Sequence, residues 1–193
     1  MKYLKTKLSA EVVVADKFVG NVDFADGIAD ITDPCYESDV WCAAFGKKIK
    51  AGEYAAYITV IDYPHMVQAE DALDAMQLNV KLGEKVKLSD KRIMSVKIVH
   101  KDFVNVNKRW QMIAPNIGVD AGLCGFYNHK PDFTAYELWG RFCDSLKHHE
   151  DTYCVCDIKP YGITVSSGFG DGVYRLYAQK VKGEIVALEL RFN

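Results

Sequence analysis

The apolar residues of this chain alternate with polar ones far more often than they recur at helical spacing. Alternating or β-branched runs predict strands at 11–18, 27–33, 53–63, 92–103, 109–114, 117–127, 163–167, 173–181 and 184–192. The run at 53–63 is apolar almost throughout, which indicates a strand covered on both faces. In the last run, Val186, Leu188 and Leu190 share one face and the opposite face carries charge.

One segment, 133–146, has helical rather than alternating periodicity. Its apolar residues are Tyr136, Trp139, Phe142, Cys143 and Leu146. Asp132 directly precedes it and is suited to cap the first helical turn. Many strands with one clear helix predict a mainly β (α+β) fold, an antiparallel β-sandwich or barrel-like sheet with one amphipathic helix packed on it. We expect residues 1–193 to form a single globular domain.

The stretch between the third and fourth predicted strands gives two local predictions. Val67, Leu73 and Met76 fit one face of a short helix, which leaves Asp74 on the face toward water. Further along, alternating residues on either side of Gly83 predict a β-hairpin.

Composition and charge narrow the class of protein. The chain has 193 residues, of which 49% are hydrophobic and 26% charged, as is usual for a globular protein. Its formal net charge of -2, with both signs interspersed, gives no basic stripe for a nucleic-acid polymer. It has no apolar run of about 18 residues that would indicate a membrane span, and the apolar stretch near the N-terminus is too short for a signal peptide. We therefore expect a soluble cytoplasmic protein with six reduced cysteines.

The most unusual stretch is SSGFGDGVY at 166–174, with three glycines within five residues. Glycine tolerates positive φ and close approach of other groups, so this density marks a tight turn or a ligand cradle. One interpretation is a β-hairpin in which Gly168 and Gly170 form a bulge. The other is a backbone nest that binds a phosphate or carboxylate with the Ser166 and Ser167 hydroxyls. Neither a Walker loop nor a dinucleotide fingerprint fits, because a strand rather than a helix follows.

Three aspartates fall at or near predicted strand ends: Asp33, Asp120 and Asp171. Binding residues concentrate on loops at the rim of a sheet, so these carboxylates could hold a divalent cation or divide acid and base roles. Aspartate is also common in turns for purely local reasons. Tyr36, Tyr127 and Tyr174 each follow one of these aspartate loops by a few residues. If the loops converge, these tyrosines could wall a pocket for a planar ligand such as a nucleobase.

A group of potential zinc ligands lies at and after the predicted helix: Cys143, His148, His149, Cys154 and Cys156. Their spacing matches neither a paired Cys-x-x-Cys site nor a common zinc finger. We expect no metal there, and we interpret the histidines as complementing the helix dipole. The remaining cysteines, Cys35, Cys42 and Cys124, have apolar or aromatic neighbours and are interpreted as small buried hydrophobes.

The order of several short motifs resembles a known family. The motifs are DPCY at 33–36, KAGEY at 50–54, GVDAG at 118–122 with GF at 125–126, SGFGDGVY at 167–174 and VALELRF at 186–192. Together they resemble an uncharacterised bacterial family, domain of unknown function 4241, over residues 27–193. The resemblance implies a shared fold and a shared cluster of Asp/Gly loops, and it brings no established reaction.

These observations lead to one main hypothesis and two alternatives. We expect a binding protein whose Asp/Gly loops form a pocket for a small polar or anionic ligand, with a nucleotide as one candidate. The expected site residues are Asp33, Tyr36, Asp120, Ser166, Ser167, Gly168, Gly170, Asp171 and Tyr174. No cofactor or metal is assigned to this site. One alternative is a metal-assisted hydrolase that uses the three aspartates, and the other is a protein-interaction or inhibitor module of a bacterium or phage. Association with a protein partner, or with further copies of the chain as a homo-oligomer, is left open.

Overall fold

The computed structural model describes residues 2–4, 15–36, 43–106, 108–133, 135–149, 153–158 and 161–192, with side chains except at 2–4, 15, 136–137, 147–149 and 153–158. The strands of this part of the chain are β1 Lys2–Leu4, β2 Ala15–Phe24, β3 Ile28–Thr32, β4 Ala44–Lys48, β5 Gly52–Asp62, β6 His65–Gln68, β7 Lys85–Leu88, β8 Lys91–His100, β9 Gln111–Val119, β10 Leu123–Tyr127, β11 Lys147–His149, β12 Tyr153–Ile158, β13 Gly162–Ser166, β14 Gly172–Val181 and β15 Glu184–Arg191. The helices are α1 Ala72–Leu78, α2 Tyr136–Ser145 and a 3-10 turn at Lys101–Phe103.

The described strands form two six-stranded sheets and one small three-stranded sheet, and every pairing among them is antiparallel. The first sheet has the order β11-β12-β13-β10-β3-β4, the second β2-β5-β8-β15-β14-β9, and the small sheet β1-β6-β7. The two large sheets are open and pack face to face over one core. The predicted mainly β, antiparallel fold is confirmed, in its sandwich rather than its barrel form.

The main core fills the space between the two large sheets. Its members include Ile31, Phe126, Ile163 and Val165 from the first sheet and Tyr54, Ile58, Val96, Leu176 and Leu188 from the second. They occupy alternate strand positions, because successive side chains of a strand point to opposite faces. The other face of β5, which the apolar run at 53–63 predicted to be covered as well, is only half-buried at Tyr57 and Thr59.

Helix α2 packs on the face of the first sheet that points away from the main core. Phe142 of the helix joins Tyr127 and Phe133 in a second buried cluster, so the predicted packing of a helix on the sheet is confirmed. The predicted cap is wrong. The helix begins after Ala135 without any side-chain cap, and the backbone carbonyl of Asp132 accepts a hydrogen bond from the Ala135 N–H instead.

The apolar face of α2 is narrower than its sequence predicted. Trp139 and Cys143 are exposed, whereas Phe142 and Leu146 contact the buried cluster. A ten-residue helix lying on a sheet buries a single row of side chains, so the flanking apolar positions stay in solvent. Among the described helices, none has the length and apolarity that a bilayer crossing needs.

Helix α1 presents the opposite face from the one predicted. Leu73 and Met76 are 58% and 72% exposed, and Asp74 is buried. The cause lies at the start of the helix, where Asp71 accepts a hydrogen bond from the Asp74 N–H (2.8 Å) and the Asp74 carboxylate accepts one from the Glu70 N–H (3.1 Å). These capping bonds turn Asp74 inward, so they override the apolar periodicity of this short helix.

The hairpin predicted around Gly83 is also wrong. Strand β7 pairs with β6 rather than with the residues just before Gly83. Asn79 ends α1 in the left-handed region (φ 53°), and the Val80 N–H donates to the Ala75 carbonyl (2.9 Å). The helix end therefore occupies the residues that would have formed the first strand of the hairpin.

Candidate functional site

Two connections that cross between the large sheets run side by side. Residues 120–122 join β9 of the second sheet to β10 of the first, and residues 167–171 join β13 of the first to β14 of the second. Because β9 pairs with β14 and β10 with β13, both connections lie at the same corner of the sandwich. Strand β3 pairs with β10 and brings Asp33, the residue after its last position, to that corner.

We define the loop cluster as residues 33–36, 120–122 and 166–171 together with Tyr174. It contains all the residues that the sequence nominated for a ligand site: Asp33, Tyr36, Asp120, Ser166, Ser167, Gly168, Gly170, Asp171 and Tyr174. Hydrogen bonds between the three segments join them directly. The aspartates nominated from three separate turns therefore belong to one structural unit.

Asp33 is the buried centre of the loop cluster. Its side chain is fully buried, and its two carboxylate oxygens accept three backbone hydrogen bonds. Oδ1 accepts from the Cys35 N–H (2.9 Å), and Oδ2 accepts from the N–H groups of Asp120 (3.0 Å) and Ala121 (2.8 Å). The carboxylate thus ties the end of β3 to the turn between β9 and β10, and its geometry is that of a structural cross-link.

Asp120 and Tyr36 form a more exposed link between the same two segments. The Tyr36 hydroxyl donates a short hydrogen bond to Oδ2 of Asp120, which is exposed. This bond raises the pKa of Tyr36 to about 12, because ionising the phenol would put a second negative charge against the carboxylate. The pair therefore presents a neutral hydroxyl and a charged carboxylate at the surface.

Asp171 connects the glycine-rich loop to the turn at 120–122. Its exposed carboxylate accepts a hydrogen bond from the Gly122 N–H at 3.1 Å, while the Gly122 carbonyl accepts one from the Ser167 N–H at 2.9 Å. The two crossing connections are consequently bonded to each other in both directions. Like Asp120, Asp171 keeps its carboxylate at the surface of the loop cluster.

The interior of the glycine-rich loop is organised around the carbonyl of Gly170. The buried Ser167 hydroxyl and the Tyr174 hydroxyl both donate to this oxygen, the latter at 2.9 Å. Burial raises the pKa of Tyr174, so its hydroxyl remains a donor at neutral pH. Gly168 has a φ of 64°, and a Cβ there would lie 2.0 Å from the Ile93 carbonyl oxygen. This close approach to β8 is what requires glycine.

The tip of the glycine-rich loop rests on the second sheet. The ring centres of Phe169 and Tyr63 are 6.2 Å apart, and the Arg92 guanidinium lies 5.4 Å from the Phe169 ring centre. Phe169 is nevertheless exposed on its outer side, as is Val173 at the start of β14. The surface of the loop cluster thus has acidic groups beside apolar ones.

Several backbone donors of the loop cluster already have acceptors within the protein. In the glycine-rich loop, the Ser167 N–H donates to the Gly122 carbonyl (2.9 Å) and the Phe169 N–H donates to the Ser167 carbonyl (2.5 Å). The N–H groups of Cys35, Asp120 and Ala121 bind Asp33, and that of Gly122 binds Asp171. At these four N–H groups, the protein's own carboxylates take the place that a bound anion would have. Ser166 lies half-buried on β13, where its backbone pairs with Leu123.

Sequence reasoning did not nominate two residues that support the loop cluster. Lys130 is buried, its ammonium donates to the Tyr36 carbonyl at 2.7 Å, and burial lowers its pKa. Asp30 accepts hydrogen bonds from the N–H groups of Gly46 (2.8 Å) and Lys130 (2.9 Å). Asp30 lies inside a strand rather than in a turn, so no turn signal could have revealed it.

The described residues contain no group of three or more His, Cys, Asp or Glu side chains placed to hold a metal ion. The side chains of His148, His149, Cys154 and Cys156, and the whole of Cys42, lie outside the described part of the chain.

The described cysteines are free thiols in different surroundings. Cys124 is buried, as predicted, whereas Cys35 is only half-buried and Cys143 is exposed. Burial, with a contribution from the Asp33 charge, raises the pKa of Cys35 to about 12. A thiol with so high a pKa is a poor nucleophile at neutral pH.

No protein family, curated protein or solved structure matches the chain. The resemblance to domain of unknown function 4241 therefore stays a prediction from its short motifs.

Proposed function

We propose that the protein binds a small polar ligand at the loop cluster, and that the ligand offers hydrogen-bond donors or a positive charge. The observation that supports this proposal is that the three aspartates differ in burial and in hydrogen bonding. Asp33 is buried and fully used by backbone N–H groups, whereas Asp120 and Asp171 keep exposed carboxylates beside the same three-residue turn. Exposed acceptors held in place by internal bonds form a preorganised site for an ammonium, guanidinium or amide group.

This geometry favours a cationic or neutral ligand over an anionic one. A phosphate or carboxylate at the loop cluster would meet Asp120 and Asp171, and it would find the backbone donors of Ala121 and Gly122 already bonded. Like charges at contact distance oppose binding. A nucleotide therefore fits less well than an amine, unless its phosphates point away from the cluster.

The geometry also favours a binding protein over a hydrolase that clusters a metal ion between three aspartates. Such a site needs carboxylate oxygens directed at a common point. Asp33 directs its oxygens at three backbone N–H groups instead, which leaves Asp120 and Asp171 as the two carboxylates that can reach a ligand.

Calorimetry and thermal-shift screening test the proposal. The probes are spermidine, arginine amide and neutral amides on one side, and nucleotides and inorganic phosphate on the other. We expect a ligand from the first set to bind, and we expect Asp120→Asn and Asp171→Asn to weaken that binding about tenfold, or about 1.4 kcal/mol. Asparagine keeps an acceptor oxygen, so each variant removes the charge and preserves the hydrogen bond to Tyr36 or Gly122.

Glu184→Gln is the matched control, because it removes an exposed carboxylate at the opposite end of the β14–β15 hairpin. It should bind the ligand as the unmodified protein does. The proposal would be wrong if no probe of the first set bound, while nucleotides or phosphate bound equally well to the unmodified protein and to both Asp→Asn variants.

A second candidate function, a protein-interaction module, has its own supporting observation. Leu73 and Met76 on α1 and Leu82 after it are large apolar side chains that lie exposed, and exposed apolar side chains are a common feature of protein contact surfaces. Cross-linking and affinity capture with Met76→Asp as the control distinguish this function. A partner that is lost in the variant, together with silent ligand screens, would favour it over small-ligand binding.

A further inference from the structure

The outer face of the second sheet, which points away from the main core, has two adjacent rows of side chains. The strand register places one row across all six strands as Phe18, Tyr57, Lys97, Glu189, Tyr177 and Met112. The neighbouring row comprises Asp16, Thr59, Ser95, Arg191 and Arg175. We call these the tyrosine row and the arginine row.

This face has a large exposed apolar side chain at each end of the tyrosine row and two tyrosines between them. Phe18 and Met112, at the two ends of the tyrosine row, are 55% and 54% exposed. Between them, Tyr57 and Tyr177 are only half-buried. Exposed apolar groups that share a face with ion pairs are typical of a protein contact surface.

The charges of this face are incompletely matched within one chain. Arg191 binds Glu189 through Nε (2.8 Å) and Nη2 (2.6 Å) and lies 4.1 Å from the Tyr177 ring centre. Arg175 lies directly opposite Arg191 on the neighbouring strand and is exposed, with no hydrogen bond or ion pair to the rest of the described chain. Two like charges opposite each other are unfavourable in a sheet, so Arg175 would gain from an acidic or aromatic partner.

One end of the face is covered, and this restricts what can pack on it. Residues 101–106 and 108–110 lie between β8 and β9 along the chain, and the Gln179 amide of the outer face donates to the Lys108 carbonyl at 2.7 Å. Gln179 and Ala187 are buried at this end. A partner must therefore approach the two rows from the uncovered end.

We propose that this face binds a second copy of the chain, related by a two-fold axis that crosses the strands between the tyrosine and arginine rows. With this axis, the tyrosine row of each copy lies over the arginine row of the other copy. The covered ends of the two faces, formed by residues 101–106 and 108–110 of each copy, then lie at opposite ends of the interface. Glu189 then faces Arg191 of the second copy, and Tyr177 faces Arg175 of the second copy, so the unmatched charge lies over an aromatic ring and close to a carboxylate. The contacts occur twice, as a two-fold interface requires.

The shape of the face agrees with such an arrangement. A hollow of about 170 Å³ opens between Asp16, Tyr57, Lys97, Val99 and Val104. Under the proposed axis, the part of β5 of the second copy that follows Thr59 lies over this hollow. The half-buried Ile61 on that strand is an apolar side chain in a position to enter it.

The size of the face predicts a weak dimer. Six strands about 4.8 Å apart span about 24 Å, and five residues along each strand add about 17 Å, which gives about 400 Å² per copy. The total of about 800 Å² is below the 1,200–2,000 Å² of stable complexes, roughly in the range of transient ones. We therefore expect reversible association that increases with protein concentration.

Sedimentation velocity over a concentration series tests this proposal. The unmodified protein should shift from monomer toward dimer as its concentration rises. Arg175→Glu and Phe18→Asp should each weaken self-association about tenfold or more, because the first places a charge that repels Glu189 of the second copy and the second places a solvated group at the opposite edge of the interface. Circular dichroism and thermal unfolding confirm that each variant is folded.

Trp139→Asp is the matched control, since it puts the same charge at an exposed apolar position on α2, which packs on the other large sheet. It should leave self-association unchanged. A protein that stays monomeric throughout the series, or a dimer that withstands both face substitutions, would overturn the proposal. The ligand screen at the loop cluster is independent of this result, because the two rows share no residue with that cluster.

Discussion

Asp33 should contribute more to the free energy of unfolding than any other carboxylate of the loop cluster. Replacing it with alanine removes the acceptor for three N–H groups, those of Cys35, Asp120 and Ala121. Hydrogen bonds to a charged group contribute about 1.5–3 kcal/mol each, and part of that gain offsets the cost of burying the carboxylate. An unsatisfied buried donor costs about 1–3 kcal/mol. We therefore expect Asp33→Ala to lower the free energy of unfolding by about 3–5 kcal/mol.

Asp33→Asn separates charge from hydrogen bonding. The amide keeps one acceptor oxygen, but its NH₂ group must face at least one backbone N–H that now has no acceptor. We expect a loss of about 2–4 kcal/mol, close to that of alanine, because an asparagine can satisfy only one side of the carboxylate's bonding pattern.

Urea unfolding, monitored by fluorescence and circular dichroism, measures both losses. Asp144→Ala, at an exposed aspartate of α2, is the matched control and should change the free energy of unfolding by less than about 0.5 kcal/mol. The reasoning would be refuted if Asp33→Ala stayed within about 1 kcal/mol of the unmodified protein with an unchanged denaturant slope.

Two further predictions concern the same loops. Gly168→Ala should cost about 3 kcal/mol or more, because positive φ adds to a Cβ 2.0 Å from the Ile93 carbonyl, whereas Gly170→Ala should cost about 1 kcal/mol, since no atom lies within 4 Å of its Cβ. Equal losses in urea unfolding would contradict the role given to the Ile93 contact. Tyr36 should titrate with a pKa of about 12 in ring-carbon NMR, and Asp120→Asn should return it toward about 10. Because this folded-state pKa lies above the unfolded value, the stability it provides is present below about pH 10 and is lost as the pH rises to about 12. An unchanged titration in Asp120→Asn would show that the carboxylate does not set it.

Much of the fold follows from local pattern alone. The alternating runs at 173–181 and 184–192 became β14 and β15, because one face of each strand must be buried and the side-chain period is two. The helix in 133–146 was predictable for the same reason at a period of 3.6. These signals are carried by adjacent residues, so they need no knowledge of the tertiary structure.

The wrong prediction for the buried face of α1 concerns hydrogen bonds rather than periodicity. Asp74 is buried and its carboxylate accepts from the Glu70 N–H, whereas Leu73 and Met76 face outward against their apolar pattern. A seven-residue helix has too few turns for its apolar face to outweigh its capping bonds. Hydropathy does not encode that competition.

The sequence could nominate the three aspartates as a group, but local pattern could not establish that they meet. Each of Asp33, Asp120 and Asp171 follows or precedes a strand, and that much is local. Their convergence depends on β9 pairing with β14 while β10 pairs with β13, which fixes where both connections cross. Strand order is a property of the whole chain, so the buried role of Asp33 became visible only in the structure.

A turn residue and a ligand residue need not be alternatives, and burial decides which role each aspartate can have. A fully buried carboxylate that accepts three N–H groups cannot exchange them for a ligand without exposing those donors, so Asp33 must act on stability. Asp120 and Asp171 each accept one internal hydrogen bond in the described structure and are open to solvent, so an isosteric amide should leave the loops intact. If Asp33 variants lose stability while Asp120→Asn and Asp171→Asn lose only ligand affinity, the two roles are separate. If the variants at all three positions lose stability and none loses ligand affinity, the loop cluster is a structural corner of the sandwich and the ligand site lies elsewhere.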